Sequence, residues 1–392
     1  MNAGVPFYRP ALGDAEAAGV TDTLRSGWLA NGARAALFEH RVAALTGAPA
    51  ALATASGTAG LFVALQALGV RPGDEVITSP VTCIASVNAI VLSGATPVLV
   101  DVLPDTMCLD PARVEAAVTE RTVAIMPVHY AGVPADVDRI SAVARRHRLA
   151  VLEDAAHALG ASYRGQPIGS TADLTVFSFS ATKIITTGEG GMVVGRPDLV
   201  ARARVLANLG ADRSAAVPSP TAPASWADVV APGLKLAMCD VAASIGLAQL
   251  DRLPFFLDRR AAIAARYTEP LSALPGLQPP TVPAGTTPSW HLYTLRVTPD
   301  ILGADRDTFL GSLNGAGIGA AKQFKPAHHE PYLRARFPDL PQRLPVTERE
   351  SQRNLSLPMY PALTDGDVDA VVSVVRHAVE RCRAVHIRGV AR

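Results

Sequence analysis

The sequence has few cysteines, few aromatic residues and no excess of either charge. Its four cysteines stand singly, without a CxxC pair, which excludes a disulfide framework and a zinc knuckle and favours a reducing compartment. Lys plus Arg number 36 against 35 Asp plus Glu, so the formal charge of +1 supplies no field to hold a nucleic acid or an anionic membrane. Apolar types make up 49% of the 392 residues and charged types 18%, the reverse of a disordered chain. These values predict a folded, cytoplasmic protein with no nucleic-acid partner.

One uncharged stretch, residues 76–100, is long enough to cross a bilayer. Pro80, Asn88 and Pro97 interrupt it, and it divides into a strand, a helix and a second strand. The first ten residues lack the basic patch and apolar run of a secretory signal. We therefore expect no membrane association.

Short apolar runs alternate with helical patterns from about residue 50 to residue 200, as in α/β proteins. The runs predicted as strands are 50–54, 76–78, 97–101, 123–128, 150–153, 175–179 and 192–194. The last two are separated by a glycine-containing connection, which predicts a hairpin at the sheet edge. A long helix is predicted over 240–267, and the Pro- and Gly-rich segment 269–289 marks entry into a smaller unit. We predict a large domain at 1–255 and a small C-terminal domain at 256–392.

Three segments combine residue types that carry chemistry. In ASGTAGL (55–61), Gly57 stands where an apolar strand meets a helix N-terminus, a position that suits a phosphate, although a serine N-cap with a turn glycine has the same pattern. Asp154 ends a strand at the expected ligand crevice, with His157 three residues later, although a helix cap and a packed histidine are the plainer interpretations. Lys183 lies among apolar and small residues that would lower its pKa and make it a nucleophile toward an aldehyde. In this order the three segments match the phosphate, ring nitrogen and aldehyde of pyridoxal phosphate (PLP).

These motifs resemble the DegT/DnrJ/EryC1/StrS family of fold-type-I PLP enzymes, chiefly sugar-nucleotide aminotransferases. The resemblance covers nearly the whole chain and rests on VPFYRP (5–10), SGWLANG (26–32), SGTAGL (56–61), GDEVITSP (73–80), EDAAHALGA (153–161), FSFSATK (177–183), TTGEGGMVV (186–194), AASIGLAQL (242–250), SWHLYTLRV (289–297), FKPAHHEPYL (324–333) and LSLPMYPALT (355–364). It implies an α/β fold with a mainly parallel seven-stranded sheet and a smaller α+β C-terminal domain. It also implies a homodimer with shared active sites.

The resemblance assigns roles residue by residue. Lys183 is implied to form the internal aldimine and to shuttle the proton, Asp154 to pair with the pyridinium nitrogen, and His157 to lie beside the ring hydroxyl. The residues implied to bind the phosphate are Gly57, Thr58 and Ser178, and Ser56 and Cys83 are also implied to contact the cofactor. Substrate contacts are expected from Trp28, Lys235, Gln323 and His328.

Four positions depart from the family pattern. Cys83 replaces the aromatic residue that usually stacks on the cofactor ring, and Ala237 replaces an Asn or Arg that reaches the partner's phosphate. Ser180 and Gln323 also differ, on the substrate side. The cross-subunit contact and the acceptor are therefore less firmly predicted than PLP itself.

We expect amino transfer from L-glutamate, or L-glutamine, to a keto group of a nucleotide-linked deoxysugar, with pyridoxamine phosphate as intermediate. The same chemistry on an aminocyclitol precursor or another natural-product ketone stays open, and a PLP-dependent sugar dehydratase is disfavoured because that branch replaces the lysine with histidine. We expect no metal at His328, His329 and Glu330, since adjacent histidines in a strand point to opposite faces.

Overall fold

The computed structural model describes residues 4–212 and 227–390. The strands of this part are β1 (Ala50–Thr54), β2 (Glu75–Thr78), β3 (Thr96–Leu99), β4 (Thr122–Met126), β5 (Ala150–Asp154), β6 (Ser162–Tyr163), β7 (Gln166–Pro167), β8 (Leu174–Ser178), β9 (Gly191–Gly195), β10 (Leu277–Gln278), β11 (Thr286–Thr287), β12 (Tyr293–Val297) and β13 (Asn354–Leu357). The α-helices are α1 (Asp14–Ser26), α2 (Ala33–Thr46), α3 (Gly57–Leu68), α4 (Ile84–Leu92), α5 (Pro111–Ala117), α6 (Val137–His147), α7 (Pro197–Leu206), α8 (Asp240–Asp251), α9 (Leu253–Ser272), α10 (Pro299–Leu302), α11 (Arg306–Gly315), α12 (Pro331–Arg336), α13 (Leu340–Arg343), α14 (Pro345–Ser351) and α15 (Asp365–Val390).

A seven-stranded sheet in the order β1-β9-β8-β5-β4-β2-β3 forms the centre of the molecule. Its pairs are parallel except those of β9, which is antiparallel to both of its neighbours. All seven predicted strands are therefore confirmed, in a mainly parallel sheet. The prediction that the β8–β9 hairpin lies at the sheet edge is wrong, because β9 is inserted between β8 and β1 and β1 forms that edge.

Alternate residues of these strands pack into separate hydrophobic clusters on the two faces of the sheet. Leu52, Val176 and Val193 belong to one cluster, whereas Phe177 and Met192 belong to the other. Side chains of a strand alternate between faces, so both faces are covered, as a parallel sheet requires. No helix of the described residues is long and apolar enough to cross a membrane.

The C-terminal part has its own three-stranded antiparallel sheet, β10-β12-β13, with α9, α11 and α15 packed around a shared core. The prediction of a single helix over 240–267 is wrong. It divides at Arg252 into α8 and α9, because Pro254 in the first turn of α9 has no N–H to continue the hydrogen-bond ladder. The boundary between residues 255 and 256 falls inside α9 and stays a prediction.

The carboxyl ends of five parallel strands, β1, β8, β5, β4 and β2, meet at one edge of the sheet. Ligands in open α/β sheets bind outside this edge. Residues 55–58 and 79–83 follow β1 and β2, and segments 154–157 and 178–183 begin with the last residues of β5 and β8, so the topology brings the predicted motifs together.

Candidate active site

The first turn of α3 forms a close-fitting backbone cradle. The Ser56 hydroxyl caps the helix by accepting the N–H of Ala59 at 3.0 Å. A Cβ on Gly57 would lie 2.9 Å from the Cβ of Ser178, so only glycine lets the helix start so close to the end of β8. Thr58 is exposed in the same turn. Free N–H groups at a helix N-terminus and the Ser178 hydroxyl beside them fit a phosphate group.

Asp154 is the last residue of β5 and is 4% exposed. Its Oδ2 accepts the Ser86 hydroxyl at 2.6 Å, and its Oδ1 accepts the N–H of Ala156 at 3.1 Å. The Ser86 hydroxyl also lies 2.6 Å from the hydroxyl of Thr82. These hydroxyls hold the buried carboxylate in one orientation.

Ser86 is a site residue that the sequence interpretation missed. The available signal was a pair of hydroxyl residues, Thr82 and Ser86, four positions apart and thus on one face of a helical turn. The pairing with Asp154 spans 68 positions along the chain, so no local pattern identified its partner.

Lys183 is half-buried in the connection between β8 and β9. Its N–H donates to the carbonyl of Ser180 at 3.0 Å, which fixes the backbone there in a turn. Burial lowers the pKa of the Lys183 ammonium, and the negative charges of Asp154 and Glu189 act in the opposite direction. The lysine thus shares one electrostatic environment with Asp154 and Cys83, and its unprotonated fraction is increased.

His157 is buried close to Lys183. Its ring lies 4.2 Å from that of His291 and 5.7 Å, stacked, from that of Phe324. Burial, and then the charge of Lys183, hold the pKa of His157 well below its usual range. Its Nδ1 is buried without a hydrogen-bond partner in the described part of the chain. His291 and Phe324 come from the C-terminal half and gave no local signal of this contact.

The predicted substrate residues occupy different places. Gln323 precedes Phe324, and its carbonyl accepts the hydroxyl of Tyr130, so it lies beside the His157 cluster. Trp28 lies against Gly32, and Lys235 is exposed in the segment that runs beside β1. Within residues 4–212 and 227–384, no hydrogen bond, ion pair or ring contact joins these two residues to Lys183, Asp154 or His157. Their substrate roles stay predictions.

His328 is in a different setting from the one expected. His328 and His329 lie in a 3-10 turn, not a strand, and the Nε2 atoms of both approach the same oxygen of Glu348. The prediction that these two histidines point to opposite faces is therefore wrong. The fully buried side chain of His328 is bound to Glu348, and its substrate contact stays a prediction.

The residues present fit pyridoxal phosphate by their own geometry. The cradle at Gly57 has no room for a Cβ, the Asp154 carboxylate is buried and oriented, and Lys183 has a lowered pKa. The unpartnered Nδ1 of buried His157 offers one further polar contact. A phosphate site, a carboxylate for the ring nitrogen and an amine for the aldehyde thus lie at one edge of the sheet.

Comparisons with known proteins agree with this arrangement. The model of the DegT/DnrJ/EryC1/StrS aminotransferase family matches residues 10–376. The chain is 35% identical to the aminotransferase TlmJ from Streptoalloteichus hindustanus, with a TM-score of 0.87 over 96% of this chain and 99% of that one. It is 34% identical to Spr1654 from Streptococcus pneumoniae in its PMP form, with a TM-score of 0.88 over 97% and 99% of the two chains, and a PLP form of that protein is also known. It is 35% identical to DesI, solved in the presence of its TDP-sugar product, with a TM-score of 0.87 over 99% and 96%.

Proposed function

Because the chain belongs to the DegT/DnrJ/EryC1/StrS aminotransferase family, we propose that it moves an amino group from L-glutamate, or L-glutamine, to a keto group of a nucleotide-linked deoxysugar. The chain is a PLP-dependent aminotransferase. The observation that carries the proposal is the convergence of Gly57, Asp154 and Lys183 at one edge of the sheet. The TDP-sugar product of DesI, a structure 35% identical to this chain, supports a nucleotide sugar as acceptor.

Each of these residues has a role that follows from its surroundings. Pyridoxal phosphate, when bound, supplies an aldehyde that takes up the amino group and a ring that withdraws electrons. The Gly57 and Thr58 N–H groups and the Ser178 hydroxyl would hold the phosphate. The Asp154 carboxylate would keep a proton at the ring nitrogen, and His157 would contact the ring hydroxyl.

Lys183 performs the proton transfer. Its lowered pKa increases the unprotonated fraction of the amine, which can take a proton from the substrate carbon and return it. The donor and the acceptor use this same lysine in turn, so we propose ping-pong kinetics.

A ketone without a nucleotide is the second candidate acceptor. Cys83 is exposed beside Lys183 where the family usually has an aromatic residue, and Ala237 pairs with Thr54 next to the cradle where the family usually has a polar one. These substitutions alter the surroundings of the cofactor and the substrate. An aminocyclitol precursor or another natural-product ketone is therefore included in the substrate screen.

We further propose a homodimer in the cytoplasm. Apolar side chains of Leu209, Val229, Val230 and Leu234 are 53–69% exposed close to the segment of Ala237, which supports coverage by a second copy. The cysteines are all unpaired, which supports a reducing compartment. Light scattering of the purified protein tests the assembly, and a monomer at working concentration would contradict it.

The test of function is the absorption spectrum of PLP-loaded protein before and after L-glutamate is added. We expect the coloured form to bleach as the amino group is taken up, and the nucleotide ketosugar, rather than a cyclitol ketone, to restore the colour. Lys183→Ala should show no turnover while still binding pyridoxamine phosphate, and Lys322→Ala, which changes an exposed lysine, should behave as wild type. Appreciable turnover by Lys183→Ala would remove the assignment.

A further inference from the structure

Arg260 in α9 is a buried guanidinium that the proposed reaction does not yet use. It is 2% exposed and is among the largest fully buried side chains of the described residues. Its Nη1 donates to the carbonyls of Trp290 at 3.0 Å, His291 at 3.3 Å and Met359 at 3.0 Å. One end of the guanidinium is thus fully bonded to the backbone.

The other edge of the guanidinium consists of Nε and Nη2, whose N–H bonds point the same way. Nε is buried without a hydrogen-bond partner, and no hydrogen bond or ion pair within residues 4–212 and 227–384 uses Nη2. Two parallel N–H donors on a planar fork match the two oxygens of a carboxylate. The edge of Arg260 without protein partners is therefore the one suited to bidentate binding.

The missing counter-charge sets Arg260 apart from other inward-reaching arginines. Arg204 bonds both carboxylate oxygens of Glu39, and Arg252 pairs with Glu16 at 3.2 Å. No carboxylate within the described part of the chain pairs with Arg260, and burial alone lowers its pKa to about 9. A buried charge without a partner is unfavourable unless a ligand supplies the opposite charge.

The position of Arg260 connects it with the reaction. It lines a cavity together with Lys183, Tyr8, Gln249 and Tyr360. Its charge also acts on His291, whose ring lies against that of His157. Arg260 and Lys183 thus line the same cavity, so an anion bound there would lie beside both residues.

We propose that the Nε–Nη2 edge of Arg260 binds the α-carboxylate of the amino donor. This inference rests on the proposed function and names a donor-binding residue for it. L-glutamate and L-glutamine share the α-carboxylate and differ at the other end, so one fork serves both. The α-carboxylate is also the anion attached to the carbon that bears the reacting amino group, which suits a cavity shared with Lys183.

Arg260→Lys is the informative variant, because it keeps the charge and a donor for the carbonyls but lacks the planar fork. Arg266→Gln is the matched control, since Arg266 lies on the same helix and pairs with exposed Asp365 and Asp369. The PLP-loaded proteins are titrated with L-glutamate and with 4-aminobutyrate, which is glutamate without its α-carboxylate. Calorimetry then measures binding of 2-oxoglutarate to each protein loaded with pyridoxamine phosphate.

We expect Arg260→Lys to weaken half-saturation by L-glutamate and binding of 2-oxoglutarate by about 10- to 100-fold, and to leave the response to 4-aminobutyrate unchanged. The wild type should prefer L-glutamate over 4-aminobutyrate by at least tenfold, and this comparison holds even if the variant does not fold. Equal titrations of Arg260→Lys and Arg266→Gln would overturn the inference, as would a loss confined to the nucleotide sugar, which would assign the fork to a phosphate. A wild type that ignores both glutamate and glutamine would instead refute the donor in the proposed function.

Discussion

The hydroxyl of Ser86 should determine how well Asp154 is prepared for the cofactor. Ser86→Ala removes the 2.6 Å hydrogen bond to Oδ2 and leaves the carboxylate with the N–H of Ala156 on its other oxygen. In the cofactor-free variant the carboxylate can then turn toward water, and cofactor binding must reverse that movement. A hydrogen bond to a charged group contributes about 1.5–3 kcal/mol, which is the upper limit of this cost.

At 1.4 kcal/mol per tenfold, we expect the Kd of pyridoxal phosphate to rise by about 10- to 150-fold at most. A fluorescence titration of the cofactor-free protein measures it. Ser86→Thr keeps the hydroxyl and should restore most of the affinity. Ser93→Ala is the matched control, because Ser93 is a buried serine at the other end of α4 whose hydroxyl donates to the carbonyl of Ala89. Equal affinities of Ser86→Ala and Ser93→Ala would refute the positioning role.

Two further changes test the cradle and the buried histidines. Gly57→Ala places a Cβ 2.9 Å from the Cβ of Ser178 and should weaken cofactor binding more than tenfold. Gly311→Ala, whose Cβ meets nothing within 4 Å, should bind the cofactor normally. Equal cofactor affinities of the two variants would contradict the close fit at Gly57. The pKa of His157 is held below its usual range, so on acidification the unfolded state binds a proton at His157 that the folded state does not bind. The free energy of unfolding should therefore fall as the pH drops below about 6.5. His157→Gln should reduce this slope by up to about 1.4 kcal/mol per pH unit in denaturant titrations, and an unchanged slope would show that His157 does not carry it.

The parts of the fold that depend on local pattern were predictable from sequence. All seven strands of the main sheet were identified, since buried parallel strands read as continuous apolar runs. The placement of β9 inside the sheet was missed, because strand order depends on long-range pairing that leaves no local trace. The break at Arg252 was missed although Pro254 marked it, since Pro is compatible with the first turn of a helix as well as with its interruption.

The same division applies to the candidate site. Gly57, Asp154 and Lys183 lie in motifs whose residue types indicate their chemistry. The contacts of Ser86 and Arg260 depend on partners far away in the chain, so single residues carried no signal. His328 and His329 were misjudged because the two-residue period of a strand was assumed for a 3-10 turn.

The insertion of β9 between β8 and β1 has a consequence for the geometry of catalysis. Gly191 at the start of β9 pairs with both Thr54 and Ser178, and a Cβ there would lie 2.6 Å from the Ser56 carbonyl oxygen. The loop that carries Lys183 runs from Ser178 to Gly191, and both of these residues lie against the backbone at the start of α3. A slip of one residue in this pairing would turn every β9 side chain to the opposite face and drive one into the cradle. The separation between the reactive amine and the phosphate is thus set by the hydrogen-bond ladder of the sheet rather than by the length of the loop.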